Sequence, residues 1–245
     1  MEVNVTGAKI LYQNDWFLLS EAVVNTWIVM AVIVALCLFL THNLKVHATS
    51  KRQIIAEWIV TKVNGLVNEN MGPRFSHYGP LAAAILSMSV LCSLSSMIGA
   101  FAPTGDLSTV IGWAAVVFVL LTYYKIRANG IGGYVKGFFE PLPPLMPINV
   151  IGEIAKPLSM AFRHYGNIAS GTIITTLLYT ALAAASSALL GLIPGALGDV
   201  LSQIPILQFG LPALFSVYFD LFSSCIQAFI FCMLMMINIS VAAEA

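Results

Sequence analysis

The chain has 245 residues, of which 59% are hydrophobic and only 9% charged, with a formal net charge of zero. A soluble domain carries about 25% charged residues, so a soluble monomer is excluded, and the zero net charge leaves no basic footprint for nucleic acid. All eleven Lys and Arg lie between Lys9 and Arg163, and beyond Arg163 the charged side chains are Asp199, Asp220 and Glu244.

Residues 1–22 set Glu2, Asp15 and Glu21 against Lys9. That is not the positive leading region of a secretion signal. The first run long enough to span, at ~18 apolar residues or more, is 23–40. Within the basic stretch that follows, 47–70 places Ile54, Ile55, Trp58, Ile59, Val63, Leu66 and Val67 at helical spacing. This predicts an amphipathic helix lying on the membrane surface; a helix packed on a soluble partner is the alternative. Residues 78–124 read as a tight helical hairpin, two uncharged runs separated by the "APTGD" stretch. The first run is rich in Ala and Ser, which permit close helix packing in lipid. The glycine- and proline-rich stretch 125–150 reads as a membrane-surface loop. Its glycines do not fit a nucleotide-binding pattern.

Two long runs remain, 151–193 and 212–243. As helices at ~1.5 Å per residue they exceed the ~30 Å hydrocarbon core, so they break or lie steeply tilted. The fold expected is therefore an all-α, polytopic membrane protein occupying 1–245 as one membrane domain. It has about five crossing helices and one surface helix. Eight of the eleven basic residues fall in 41–77 and 125–150, which the positive-inside rule assigns to the cytoplasm. The N-terminus, "APTGD" and the linker 191–212 then face outside, and the C-terminus is cytoplasmic. Cys37, Cys92, Cys225 and Cys232 sit in apolar runs without a Cys-x-x-Cys pair. They read as buried structural thiols, and neither a metal nor a cofactor is expected.

The chemistry concentrates on the last two helices. Lys156, Ser159, Arg163, Asn167 and Ser170 follow spacings of 3, 4, 4 and 3 and share a face. Asp220, Ser223, Ser224 and Gln227 do the same on the other helix, with Asn238 eleven residues further along. An arginine in the bilayer costs ~2.5–3.5 kcal/mol on insertion scales and cannot shed its charge. Arg163 must therefore meet water or a carboxylate. Snorkelling to the interface, or an internal pair with Asp220, are the bland alternatives. His164 is rotated ~100° from Arg163; it either lines an aqueous cavity or hydrogen-bonds a neighbouring helix. Asp220 is a functional candidate as an acid in an apolar run, although a position near water would also tolerate it.

The segment "KPLSMAFRHYGNIASG" resembles the arginine-bearing segment of the subunit a family of F-type ATP synthases, bacterial type. "APTGDLSTVIGWAAVVF", "KIRANGIGGYVKGFFEP", "LMPINVIGEIAKP" and "IQAFIFCMLMMINISVAAE" fit the same family in order, so the resemblance covers about 75–245. It implies a stator in the Fo sector of a bacterial cell membrane, conducting H⁺ or Na⁺ to and from a ring of c subunits through two half-channels. Peripheral-stalk b subunits and the other synthase subunits are the implied partners, and ATP is made elsewhere in the assembly. Arg163 would correspond to the essential arginine, Gln227 to the glutamine opposing it, and Asn167 to the asparagine that follows. Asp220 would line the outer half-channel. Two departures stand out: Thr172 occupies a position where many members carry an acid or histidine, and His164 one where they carry Leu.

A stand-alone ion-coupled transporter or channel is the alternative, although the two halves show no internal repeat. An intramembrane hydrolase would need a second membrane aspartate, a Ser/His pair or His-Glu-x-x-His. A purely structural anchor would leave both polar stripes unexplained.

Overall fold

The computed structural model describes residues 7–14, 17–46, 50–190, 215 and 217–244. The linker 191–212 lies wholly outside the described residues, as do 1–6 and 213–214. The chain is an all-α membrane protein with five helices long and apolar enough to cross a bilayer.

One feature departs from the all-helical expectation. Strands β1 (Ile10–Asn14) and β2 (Phe17–Ser20) pair antiparallel, with Tyr12 opposite Leu19 and Asn14 opposite Phe17. The hairpin leads directly into helix α1 (Glu21–Thr41), whose N-terminus is capped by the Ser20 hydroxyl accepting from the Val23 amide at 3.4 Å. The Glu21 amide donates back to the Lys9 carbonyl at 2.8 Å, closing hairpin onto helix.

Helix α2 (Lys51–Met71) divides by function along its length. Its last turns bury Val67 and Met71 in the core, whereas Ile54, Ile55, Trp58 and Val60 stay exposed on the chain. An exposed apolar face beside Lys51 and Arg52 suits the membrane interface. Gln53 locks the start of this helix: its amide donates to the Lys45 carbonyl at 2.6 Å and to Glu57 at 2.7 Å. The Arg52 guanidinium lies 5.1 Å over the Phe39 ring of α1.

Helix α3 (Gly79–Leu94) and helix α4 (Leu107–Gly137) form the hairpin. Asp106 caps α4 by accepting from the Ser108 amide and the Thr109 hydroxyl. The stretch 125–150, expected as a loop, is mainly helical. α4 runs through it to Gly137 and breaks only at Gly130, where φ is +69°, a backbone state glycine adopts without strain. Helix α5 (Met146–Leu190) is continuous over 45 residues and contains Pro157. At ~1.5 Å per residue it is about twice as long as a ~30 Å hydrocarbon core. A π-helical segment, Val217–Ser223, precedes helix α6 (Ser224–Glu244).

Helix α6 is the centre of the bundle. Phe231, Cys232, Met235, Met236, Ile239 and Ala242 are buried against Val67, Met71, Phe75 and Tyr78 from α2 and its following turn, Ala82 of α3, Val117 and Leu121 of α4, and Met160 of α5. Half of the most apolar window of α6 is buried, but none of that of α1. This peripheral placement corrects one cysteine expectation. Cys92 and Cys232 are buried, Cys225 is half-buried, and Cys37 on α1 is exposed. In a bilayer an apolar run meets lipid as readily as protein, so apolarity alone does not imply internal burial.

Candidate functional site

The polar residues of α5 occupy a face that the chain itself leaves open. Lys156, Ser159, Arg163 and Ser170 are exposed, and Asn167 is half-buried. Helix α5 holds these five at one face because nothing interrupts its 3.6-residue period across Met146–Leu190. The ion pairs among the described residues are Lys125–Glu153 and Lys136–Glu140. Arg163 therefore makes no internal pair with Asp220.

Asn167 turns toward α6. Its Oδ1 accepts a hydrogen bond from Ser223 Oγ at 2.6 Å. Its Nδ2 is buried and has no partner, and the same holds for Gln227 Nε2 and Thr175 Oγ1. Such atoms cost ~1–3 kcal/mol each if left dry. Asn167 on α5, bonded to the turn before α6, and Gln227 on α6 mark polar positions suited to water or a visiting ligand group.

The stripe on α6 is not continuous. The segment Val217–Ser223 winds as a π turn, which breaks the helical phase on which a shared face depends. Asp220 and Ser223 are half-buried, whereas Ser224 and Gln227 are buried. Ser224 Oγ donates back to the Phe219 carbonyl at 3.0 Å, satisfying a carbonyl of that turn. Close approach of the turn to α5 depends on Gly171, where an added Cβ would lie 3.3 Å from Phe219 Cβ. Further along, Asn238 Nδ2 sits 3.7 Å from Met160 Sδ.

His164 points away from the open face and is fully buried. Its Nε2 lies 3.1 Å from Ser89 Oγ of α3, and its ring sits 6.1 Å from Trp113 of α4 and 5.5 Å from Phe231 of α6. One side chain thus joins α5 to three other helices. Thr172 is exposed and its hydroxyl donates to the Ile168 carbonyl at 3.0 Å.

Several contributors were not legible beforehand. Lys125 of α4 pairs with Glu153 of α5, and both line a cavity of about 490 Å³ together with Asn129, Tyr134, Asn149 and Lys156. Ser89 and Trp113 were hidden because only tertiary packing brings them to His164. No cluster of three or more potential metal ligands occurs among the described residues.

Comparisons with known proteins place the chain in a family. The family model "ATP synthase A chain" matches residues 23–240. Among similar proteins, ATP synthase subunit a of Desulforamulus reducens is 29% identical over 238 residues, covering 94% of this chain and 83% of that protein. That of Moorella thermoacetica is 34% identical over 160 residues, covering 65% and 73%. A sodium ion specific subunit a from Propionigenium modestum is 30% identical over 239 residues, covering 91% and 74%. The chain belongs to the ATP synthase A chain family.

Proposed function

We propose that this chain is the ion-conducting stator of a rotary ATP synthase, and that Arg163 is the charge against which the carboxylates of a c-subunit ring are presented. The carrying observation is an exposed guanidinium in the middle of a 45-residue membrane helix, in neither of the ion pairs found among the described residues. Insertion of such a charge is costly, so its retention on an open face calls for a partner outside the chain. A carboxylate passing it is held ionised, because a nearby positive charge lowers a carboxyl pKa. The carboxylate must release its ion before passing and regain one afterwards.

Two ion paths of opposite access follow. The positive-inside rule puts 41–77 and 125–150 in the cytoplasm, the N-terminus outside and the C-terminus inside. The cavity at Lys125, Glu153 and Lys156 then lies toward the cytoplasm and suits the inner path. The polar positions Asn167 and Gln227, with Asp220 in the π turn that bonds Asn167, suit the outer one. Arg163 stands between them and stops direct leak. Gln227 and Asn167 supply neutral hydrogen-bonding groups beside the charge. Ser159, Ser170, Ser223, Ser224 and Asn238 extend the polar surfaces. The peripheral-stalk b subunits and the remaining synthase subunits complete the assembly, and the bond-forming step of ATP synthesis lies outside this chain. The ion is H⁺ or Na⁺, a choice that rests with the carboxylate site of the ring.

A stand-alone transporter would close its polar residues upon itself. Here the α5 stripe opens outward, which favours the stator. The test is ATP-driven ion pumping by the complete complex in liposomes. Arg163→Ala should abolish pumping while assembly is retained; pumping near the wild-type rate would overturn the reading.

A further inference from the structure

Around the exposed Arg163, helix α5 meets the rest of the bundle through Pro157, Met160, Ala161, His164 and Gly171, all buried. Most of this face cannot fix a rotation. Met160 is a flexible side chain, Ala161 offers one methyl group, and Gly171 offers none. Pro157 has no amide hydrogen, so the Glu153 carbonyl loses its helical donor. The helix is therefore weakened less than two turns ahead of the charge it presents.

His164 differs from the other residues of that face. It is fully buried, and its Nε2 lies 3.1 Å from the Oγ of Ser89, itself fully buried on α3. Its ring also closes a triangle with Trp113 of α4 and Phe231 of α6. The centroid separations are 6.1 Å from His164 to Trp113, 5.5 Å from His164 to Phe231 and 6.4 Å from Trp113 to Phe231. A hydrogen bond weakens steeply as it bends, and aromatic pairs prefer particular mutual orientations. Both contacts thus fix an angle, where aliphatic packing fixes mainly a distance. Phe231 stands four residues after Gln227, on the same face of α6. The residue next to Arg163 in the chain therefore docks one turn from Gln227.

We infer that His164 is a positioning residue for ion translocation: bonded to Ser89 and set in the ring triangle, it fixes the rotation of α5 and with it the place of Arg163 relative to Gln227. This deepens the stator reading and rests on it. A side-chain tip about 6 Å from a helix axis moves ~2 Å when the helix turns by ~20°. Where a step depends on placement, a misplacement of ~1 Å costs about 10²-fold. The open face of α5 cannot supply this control, because in a stator the surface opposite it moves. The lock has to act from behind, where His164 reaches α3, α4 and α6.

The experiment measures, for the complete complex in liposomes, the ratio of ion pumping to ATP hydrolysis beside the thermal midpoint. His164→Leu keeps the bulk but loses the directional bond, and is expected to lower the ratio about tenfold, part of the cost of a full misplacement. His164→Gln, whose amide reaches as far as Nε2 and can bond Ser89, is expected to recover most of it. Ser89→Ala is expected to lower the ratio in the same direction. The double variant His164→Leu with Ser89→Ala separates positioning from packing. It should regain thermal midpoint, since no buried hydroxyl is stranded, without regaining the ratio. A wild-type ratio in assembled His164→Leu, or a double variant whose ratio recovers with its midpoint, overturns the inference. If His164→Leu does not assemble, Ser89→Ala decides, and a wild-type ratio there overturns the inference equally. Loss of this inference with Arg163→Ala still inactive leaves the stator intact; an active Arg163→Ala removes both.

Discussion

Ser223 Oγ donates to Asn167 Oδ1 at 2.6 Å, joining the π turn before α6 to the arginine-bearing helix. It joins a polar side chain of one stripe directly to a polar side chain of the other. Its acceptor lies four residues after Arg163, so it sets the spacing of α5 and α6 where the proposed ion path crosses. Removing it should loosen that register more than it destabilises the bundle.

Ser223→Ala should cost about 1 kcal/mol of stability, the net worth of a typical hydrogen bond, and slow coupled ion transport several-fold. The checks are the thermal midpoint of the purified complex and its ATP-driven pumping rate. A variant with wild-type pumping would show that this contact does not position the path.

His164 and Ser89 should behave as a coupled pair. His164→Leu keeps an apolar contact with Trp113 and Phe231 but strands the buried Ser89 hydroxyl. A stranded buried polar group costs ~1–3 kcal/mol. Adding Ser89→Ala should restore part of that loss, giving a positive coupling in a double-mutant cycle read by thermal midpoint. Strictly additive effects would mean that the 3.1 Å contact contributes nothing.

Asp220→Asn and Gln227→Leu should separate ion access from charge. Replacing Asp220 removes a formal charge at the proposed outer path, so passive ion flux should fall more than complex yield does. Gln227→Leu removes only a neutral group, and its loss of pumping should be smaller than that of Arg163→Ala. Normal flux in Asp220→Asn would take that residue out of the pathway.

How much of this was readable in the residues alone depended on the kind of signal. Arg163 stood out because its cost in lipid and its inability to lose a proton do not depend on the fold. The crossing helices were visible because apolar length is a one-dimensional property. The hairpin 10–20 was not, since strands of five and four residues carry too little alternation. The π turn was invisible because a constant 3.6-residue period was applied through Val217–Ser223, and the supposed single face of Asp220, Ser223, Ser224 and Gln227 divided there. The glycines of 125–150 suggested a loop, yet a positive φ was needed only at Gly130. Lys125 and Glu153 are 28 positions apart, so nothing in sequence spacing could pair them. His164 gained its partners only from tertiary packing.

The most direct test of the central claim is the passive ion permeability of vesicles carrying the assembled membrane sector with Arg163→Ala. If Arg163 separates two half-channels, the variant should conduct the ion down its gradient while failing to couple that flow to ATP synthesis. Vesicles that stay tight and keep wild-type coupling without the guanidinium would contradict the account.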